Sequence, residues 1–196
     1  MGRLTHRTGA GGTYFVTTKA WQSVSVFQVE EVAEIVIAKL MEYRDKQSYL
    51  LHDFVLMPNH LHWILTPADS VSLEKCVQLV KGGSSFDIHK VRGNKIEIWQ
   101  SGFHESGVRN CLDYEKASDY IRFNPVTAKL VLRPENWALG SASGRFQIDP
   151  IPQGLKPPAG QFDDVGPKGP TPFNAGSKGL TAKGFAKNPG FRADRT

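Results

Sequence analysis

Hydrophobic and polar positions alternate with two distinct periods over residues 12–149. Residues 13–18 are β-branched and aromatic, follow Gly11-Gly12, and predict a strand. Across residues 29–43, Val29, Val32, Ala33, Val36, Ile37, Leu40 and Met41 recur at helical spacing. Glu30, Glu31 and Glu34 near the start and Lys39 and Arg44 near the end suit the dipole of that helix. Residues 49–56 predict a second strand, Pro58-Asn59 a turn, and residues 60–65 a third strand ended by Pro67. A helix over 71–89 is entered through Ser72 and weakened in its middle by Gly82-Gly83. Residues 95–99 alternate and predict a fourth strand, with 103–109 a further short strand or an extended loop. A helix over 111–123 carries Asp113 and Glu115 near its start, and 126–132 reads as a short helix or strand. The order β-α-β-β-α-β followed by a helix predicts an α+β domain of the ferredoxin-like, split-βαβ kind. It has one antiparallel sheet with helices on one face.

This periodicity stops near residue 150. Residues 150–196 hold 8 Gly and 8 Pro, and seven Lys and Arg against Asp163, Asp164 and Asp194. Four of the chain's five net positive charges therefore lie in that stretch. Without an apolar pattern it cannot offset the entropy of ordering, so a basic, disordered tail is expected after a nearly neutral domain of residues 1–149. Such a tail is either a solubilising linker or an arm that follows phosphates. No run approaches the ~20 apolar residues of a membrane span, and the first residues have no apolar leader core. The cysteines, Cys76 and Cys111, form no CxxC and no disulfide framework. A membrane protein and a disulfide scaffold are excluded as classes, and a cytoplasmic setting is expected.

Two constellations carry candidate chemistry. In Met57-Pro58-Asn59-His60-Leu61-His62-Trp63-Ile64-Leu65, His60 and His62 project to one face of a strand while Leu61 and Trp63 take the other. Side-by-side imidazoles suit one metal ion, but two ligands are too few for a site and hydrogen-bonded surface histidines are the plainer reading. In Asp119-Tyr120-Ile121-Arg122-Phe123-Asn124-Pro125-Val126, Tyr120 and Asn124 share a helical face, which places a phenol nucleophile beside an amide oxygen. The competing reading makes Tyr120 a core aromatic and Asn124-Pro125 the start of a new helix, with Asn124 as its cap.

Together, MPNHLHWIL and the later YIRFNPV resemble the REP-associated tyrosine transposases, within the HUH-type single-strand transposases. Trp99-Gln100-Ser101-Gly102-Phe103-His104 with Arg109 resembles the segment before the family's tyrosine helix, and Pro134-Glu135-Asn136-Trp137 its conclusion. The similarity spans about residues 12–149. It implies a HUH endonuclease fold and a metal-dependent, site-specific single-stranded DNA endonuclease and strand transferase. By position, His60 and His62 are the metal pair, Tyr120 is the nucleophile, and Asn124 stands where relatives complete the metal site. The implied cofactor is Mg²⁺ or Mn²⁺, the implied substrate single-stranded or hairpin DNA, and the implied assembly a monomer or a homodimer. A 5′-phosphotyrosyl link is the implied intermediate.

Lys81, Lys90 and Arg92, with Lys95, are candidates for a basic DNA-facing surface, although a solvated helix face reads equally well. Lys81-Gly82-Gly83-Ser84-Ser85 lacks the spacing of a nucleotide-binding P-loop. Arg109 and Arg122 flank the tyrosine in sequence and are expected to contact phosphates. Tyr14, Trp21 and Trp63 could stack bases, with core packing the default. Two other functions remain open at this stage. One is a non-catalytic DNA-binding regulator on the same scaffold, and the other a metal hydrolase in which water replaces tyrosine.

Overall fold

The computed structural model describes residues 11–152 and Leu155. Its elements are β1 (Thr13–Lys19), α1 (Glu30–Asp45), β2 (Tyr49–Met57), β3 (His60–Pro67), α2 (Leu73–Arg92), β4 (His104–Val108) and α3 (Cys111–Thr127). The four strands form one antiparallel sheet in the order β2-β3-β1-β4. The α1 crossover skips over β3 and the α2 crossover skips over β1, so two split βαβ units interlock in the ferredoxin-like manner.

Period-two alternation divides the sheet into two working faces. Val16, Leu61, Trp63 and Leu65 meet Val32, Val36 and Leu40 of α1 and Leu73, Val77 and Val80 of α2 in the larger core. Phe15, Val55, Met57, Ile64 and Val108 face the other way and pack against Tyr114, Ala117 and Ile121 of α3. The two crossover helices thus share one face as expected, and the third helix covers the opposite one.

Gly82-Gly83 does not interrupt α2. A methyl group at Gly83 would lie 3.0 Å from the Tyr43 hydroxyl of α1, so the glycine permits close helix approach. Ser72 caps α2 by accepting from the Lys75 amide, and Gly93 ends it at φ 67°.

The fourth strand differs from the sequence expectation. Residues 95–99 form no strand, and only Trp99 makes an isolated bridge, to Ala20. Ile98 and Trp99 are instead buried in the larger core, where the Trp99 indole N–H donates to Ser84 Oγ at 3.0 Å. The free edge of β1 is taken by residues 104–108, the segment left between strand and loop, from Thr13↔Val108 to Thr17↔His104. Lys95, Ile96 and Glu97 are exposed, so the alternation at 95–99 does not mark burial of every second residue, and only the ladder decides which segment is a strand.

A bulge in β2 has a consequence for the site. The register passes from Leu51↔Leu65 to Asp53↔Ile64, which leaves His52 as the extra residue. Strict alternation would set Asp53 beside Leu51 in the larger core; the extra residue turns it onto the α3 face.

The folded part also runs past the expected boundary at 149. Asp149 accepts from Arg44 Nη2 and Nε at 2.7 and 3.0 Å and from the Leu51 amide at 2.7 Å. The Pro150 carbonyl accepts from His52 Nδ1 at 2.6 Å. Together with the bond from the Leu56 amide to the Leu139 carbonyl, these contacts cover the outer edge of β2, which would otherwise expose unpaired backbone groups. The rest of the expected basic tail lies outside the described residues.

Candidate active site

The candidate site forms where the turn ends of β1 and β3 meet α3. Antiparallel pairing sets Thr17 opposite His62 and Lys19 opposite His60. The two-residue turn Pro58-Asn59 fixes where β3 begins and therefore which face its histidines take. His60 and His62 have ring centroids 4.5 Å apart. His62 stacks on Phe15 at 5.5 Å, and the Tyr120 ring stands edge-on to His62 at 5.1 Å and to Phe15 at 5.9 Å. The structure therefore brings the two histidines and the tyrosine together within one chain.

Each imidazole is oriented through its Nδ1. His62 Nδ1 meets Thr17 Oγ1 at 2.8 Å. His60 Nδ1 meets Asn59 Oδ1 at 2.6 Å, and the Asn59 amide nitrogen donates to the Ser23 carbonyl. That second bond fixes the direction of the carboxamide. His60 Nδ1 must then be the donor, which leaves a lone pair on Nε2. Gln22 and Ser23 hold left-handed backbone, φ 50° and 57°, a strained turn that delivers the Ser23 carbonyl to Asn59.

Burial pushes the His60 pKa down to about 4, with the Lys19 charge adding to the shift. Burial also holds His62 well below its ordinary range, followed by the charges of His60 and Lys19. Both rings are thus neutral near pH 7, the form that ligates metals. His62 Nε2 is fully buried and, among the described residues, has no hydrogen-bond partner. An orphaned ring nitrogen beside a second available imidazole fits a divalent ion. Among the described residues no cluster of three His, Cys, Asp or Glu could hold a metal, so any further protein ligand must be of another type.

Asn124 is such a residue. It is half-buried on α3, one turn beyond Tyr120. The alternative reading of Asn124 as the cap of a new helix does not hold, because α3 runs unbroken through Pro125 to Thr127 and the Asn124 carbonyl accepts from Ala128. The cap of α3 is Asn110, whose side chain accepts from the Asp113 amide at 2.9 Å.

Asp53 secures the tyrosine helix to the sheet. It is fully buried and accepts from the Ser118 hydroxyl at 2.5 Å, from the Ser141 hydroxyl and from the Phe54 amide. The Arg122 Nε lies 3.4 Å from it. Burial raises the Asp53 pKa, opposed by these hydrogen bonds and by Arg122. Ser118 and Arg122, two residues either side of Tyr120, are therefore tied to one buried carboxylate.

The residues expected to contact DNA have the following surroundings. Arg122 is half-exposed but paired with Asp53, so its first task is to hold α3. Lys81 donates to the Gln100 and Gly102 carbonyls at 2.7 and 2.8 Å, which fixes the loop before β4 rather than offering a free cation. Burial lowers its pKa accordingly. Arg109 lies toward the other end of β1 from the histidine pair. It follows Val108, which pairs with Thr13, four residues and roughly 13 Å along β1 from Thr17 beside His62. Lys90 and Arg92 sit in the last turn of α2, with Lys90 exposed. Trp63 is buried in the core, while Trp21 is 40% exposed. Trp21 borders a cleft of about 610 Å³ lined also by Lys81, His89, Lys95 and Trp99.

Sequence reasoning missed Asp53, Thr17 and Lys19. Thr17 and Lys19 had a signal, since residues two apart on β1 share a face, but only the β1–β3 register shows that this face is the histidine face. Asp53 had none, because its direction depends on the bulge.

A split-βαβ sheet that presents a His-x-His strand to a tyrosine on a helix across its open face is the build of a DNA-processing transposase domain. The chain belongs to the IS200-like transposase family, whose model matches residues 14–124. It is 27% identical over 146 residues to the REP-associated tyrosine transposase of Escherichia coli strain K12, covering 71% of this chain and 84% of that protein. Its fold matches the solved structure of a REP-associated tyrosine transposase bound to a REP hairpin, with a TM-score of 0.67 at 22% identity. That likeness covers 92% of this chain and all of the other. The protein is thus a DNA-processing enzyme of the transposition type. Among the described residues no helix is long and apolar enough to cross a membrane.

Proposed function

We propose that the protein is a metal-dependent, site-specific endonuclease and strand transferase for single-stranded DNA, acting through a 5′-phosphotyrosyl intermediate. The observation that carries this reading is the orphaned His62 Nε2 beside His60, with the Tyr120 ring 5.1 Å from the His62 ring. His60 and His62 through Nε2, and Asn124 through its amide oxygen, would hold Mg²⁺ or Mn²⁺. When bound, that ion supplies Lewis-acid polarisation of the scissile phosphate.

The remaining chemistry belongs to the chain. Tyr120 Oη gives up its proton to solvent and attacks phosphorus, the new Tyr–O–P bond forms, the P–O3′ bond breaks, and the departing 3′ oxygen takes a proton from solvent to leave as a 3′-hydroxyl. Attack by a second 3′-hydroxyl reverses the step, releases Tyr120 and joins the strands. Thr17 and Asn59 hold the imidazoles in orientation, and Asp53 holds the helix that bears the nucleophile. The histidine pair and the tyrosine come from one chain, which supports action by a single protomer. The hairpin in the solved relative supports hairpin or palindromic repeat DNA as substrate.

The test is covalent capture. Wild type incubated with a hairpin-bearing single strand and Mn²⁺ should become attached to the 5′ end of one product, and chelator should prevent it. Tyr120→Phe should still bind the strand but form no adduct. Cleavage by Tyr120→Phe at the wild-type rate would eliminate the tyrosine mechanism, and binding without cleavage by wild type would favour a regulator.

A further inference from the structure

Lys19 is the last residue of β1 and the direct cross-strand partner of His60. Directly opposed antiparallel residues share a face, with Cβ atoms about 4.5–5.5 Å apart. The contact of Thr17 Oγ1 with His62 shows which face this is, and Lys19 follows two residues later on the same side. Its charge is felt by both rings. Lys19 is half-buried, and its carbonyl is pinned by the Gln100 amide at 2.9 Å, so the end of β1 is not frayed.

Among the described residues no carboxylate pairs with this cation. The ion pairs among the described residues use Lys39, Arg44, Lys46 and Arg122, and Lys19 makes none. The rings beside Lys19 are neutral, and a cation held by them would meet a like charge in Lys19. The arrangement becomes favourable when an anion enters between them. In an enzyme that cuts a phosphodiester, the anion that must lie against both Tyr120 and the histidine pair is the scissile phosphate.

We propose that Lys19 is a catalytic residue that binds a non-bridging oxygen of the scissile phosphate and stabilises the charge that builds there during attack by Tyr120. It keeps its proton throughout, so the bond changes of the reaction are those already given. This inference rests on the proposed tyrosine endonuclease and adds to it a second, permanent positive charge on the phosphate.

The experiment uses the full chain, a labelled hairpin with a single-stranded flank, and Lys19→Met and Lys19→Arg variants. Adduct formation is followed in a single turnover at saturating DNA. Lys19→Met should slow it about 100-fold, the scale of losing one donor to a developing oxyanion. Lys19→Arg should recover most of that loss, and hairpin affinity should change by no more than about threefold because one phosphate contact of many is removed. A second readout needs no activity: Mn²⁺ titrated into protein without DNA should bind Lys19→Met at least as tightly as wild type, since a repelling charge is gone. Unchanged adduct rates in Lys19→Met, or weaker Mn²⁺ binding by that variant, would overturn the assignment. A wild type that binds hairpin yet never forms an adduct would overturn the tyrosine reading itself, and this inference with it.

Discussion

Replacing Asp53 by alanine tests whether one buried carboxylate holds the tyrosine helix in place. Asp53 is fully buried and serves Ser118, Ser141 and the Phe54 amide, with Arg122 at 3.4 Å. Alanine strands the Ser118 hydroxyl, which has no other hydrogen-bond partner among the described residues; Ser141 and Phe54 keep one another and the Phe54 carbonyl. Losing charge-assisted bonds of this type costs about 1.5–3 kcal/mol each where no substitute exists. Arg122 is half-exposed, so water recovers most of its interaction. The sum is about 3 kcal/mol, a fall in Tm of roughly 6–12 °C for a domain of this size.

Asp53→Asn keeps an acceptor of the same shape and should lose only about 1 kcal/mol at pH 7. The sign with pH follows from the raised pKa of Asp53. The folded state holds this proton more tightly than the unfolded state, so wild type gains stability from this group as pH falls through the raised value. The deficit of Asp53→Asn should therefore widen from pH 7 toward pH 4. Urea melts at several pH values measure both effects, and single-turnover adduct formation reads the position of Tyr120. A Tm for Asp53→Ala within 2 °C of wild type, together with an unchanged adduct rate, would refute the clamp.

Thr17→Val removes the oxygen on His62 Nδ1 at nearly constant volume; Mn²⁺ affinity should drop about 10- to 100-fold while hairpin binding without metal is kept, as measured by titration. Burial raises the pKa of Asp149, but the Arg44 hydrogen bonds outweigh it and leave the carboxyl below its ordinary value. The stability this pair contributes is present above the ordinary carboxylate pKa and lost as pH falls through the depressed one. Arg44→Met should lower the Tm by a few degrees at pH 7 and by progressively less as the pH falls through the depressed value. Deleting residues 156–196 should weaken hairpin binding and flatten its dependence on salt, read from affinities at several salt concentrations, because the seven basic residues of 150–196 lie within that deletion.

The legible parts of this molecule are those in which neighbours in sequence decide the outcome. Helical spacing from Val29 to Met41 leaves α1 few alternatives, and Glu30, Glu31 and Arg44 fall at the ends that stabilise it. Alternation from His60 to Leu65, with a two-residue turn before it, puts both histidines on one face whatever the rest of the chain does. The helical interval from Tyr120 to Asn124 is likewise local, although its continuity through Pro125 depends on how the last turn packs. Residues 95–99 alternate yet form no strand, because alternation alone does not supply a free edge to pair with, and residues 104–108 hold the edge of β1.

The sequence by itself therefore determined the element order, the fold class and the two motifs that align the chain with its family, because those depend on periodicity and spacing. Tertiary structure decided which residues surround the motifs. Only the β1–β3 register sets Thr17 and Lys19 beside the histidines, and only the bulge at His52 turns Asp53 toward α3. The same pairing moves Arg109 to the far end of the sheet, and packing turns Lys81 and Arg122 from free cations into braces. Each of these outcomes joins residues far apart in the chain, and a local pattern carries no information about which distant backbone will come to lie alongside it.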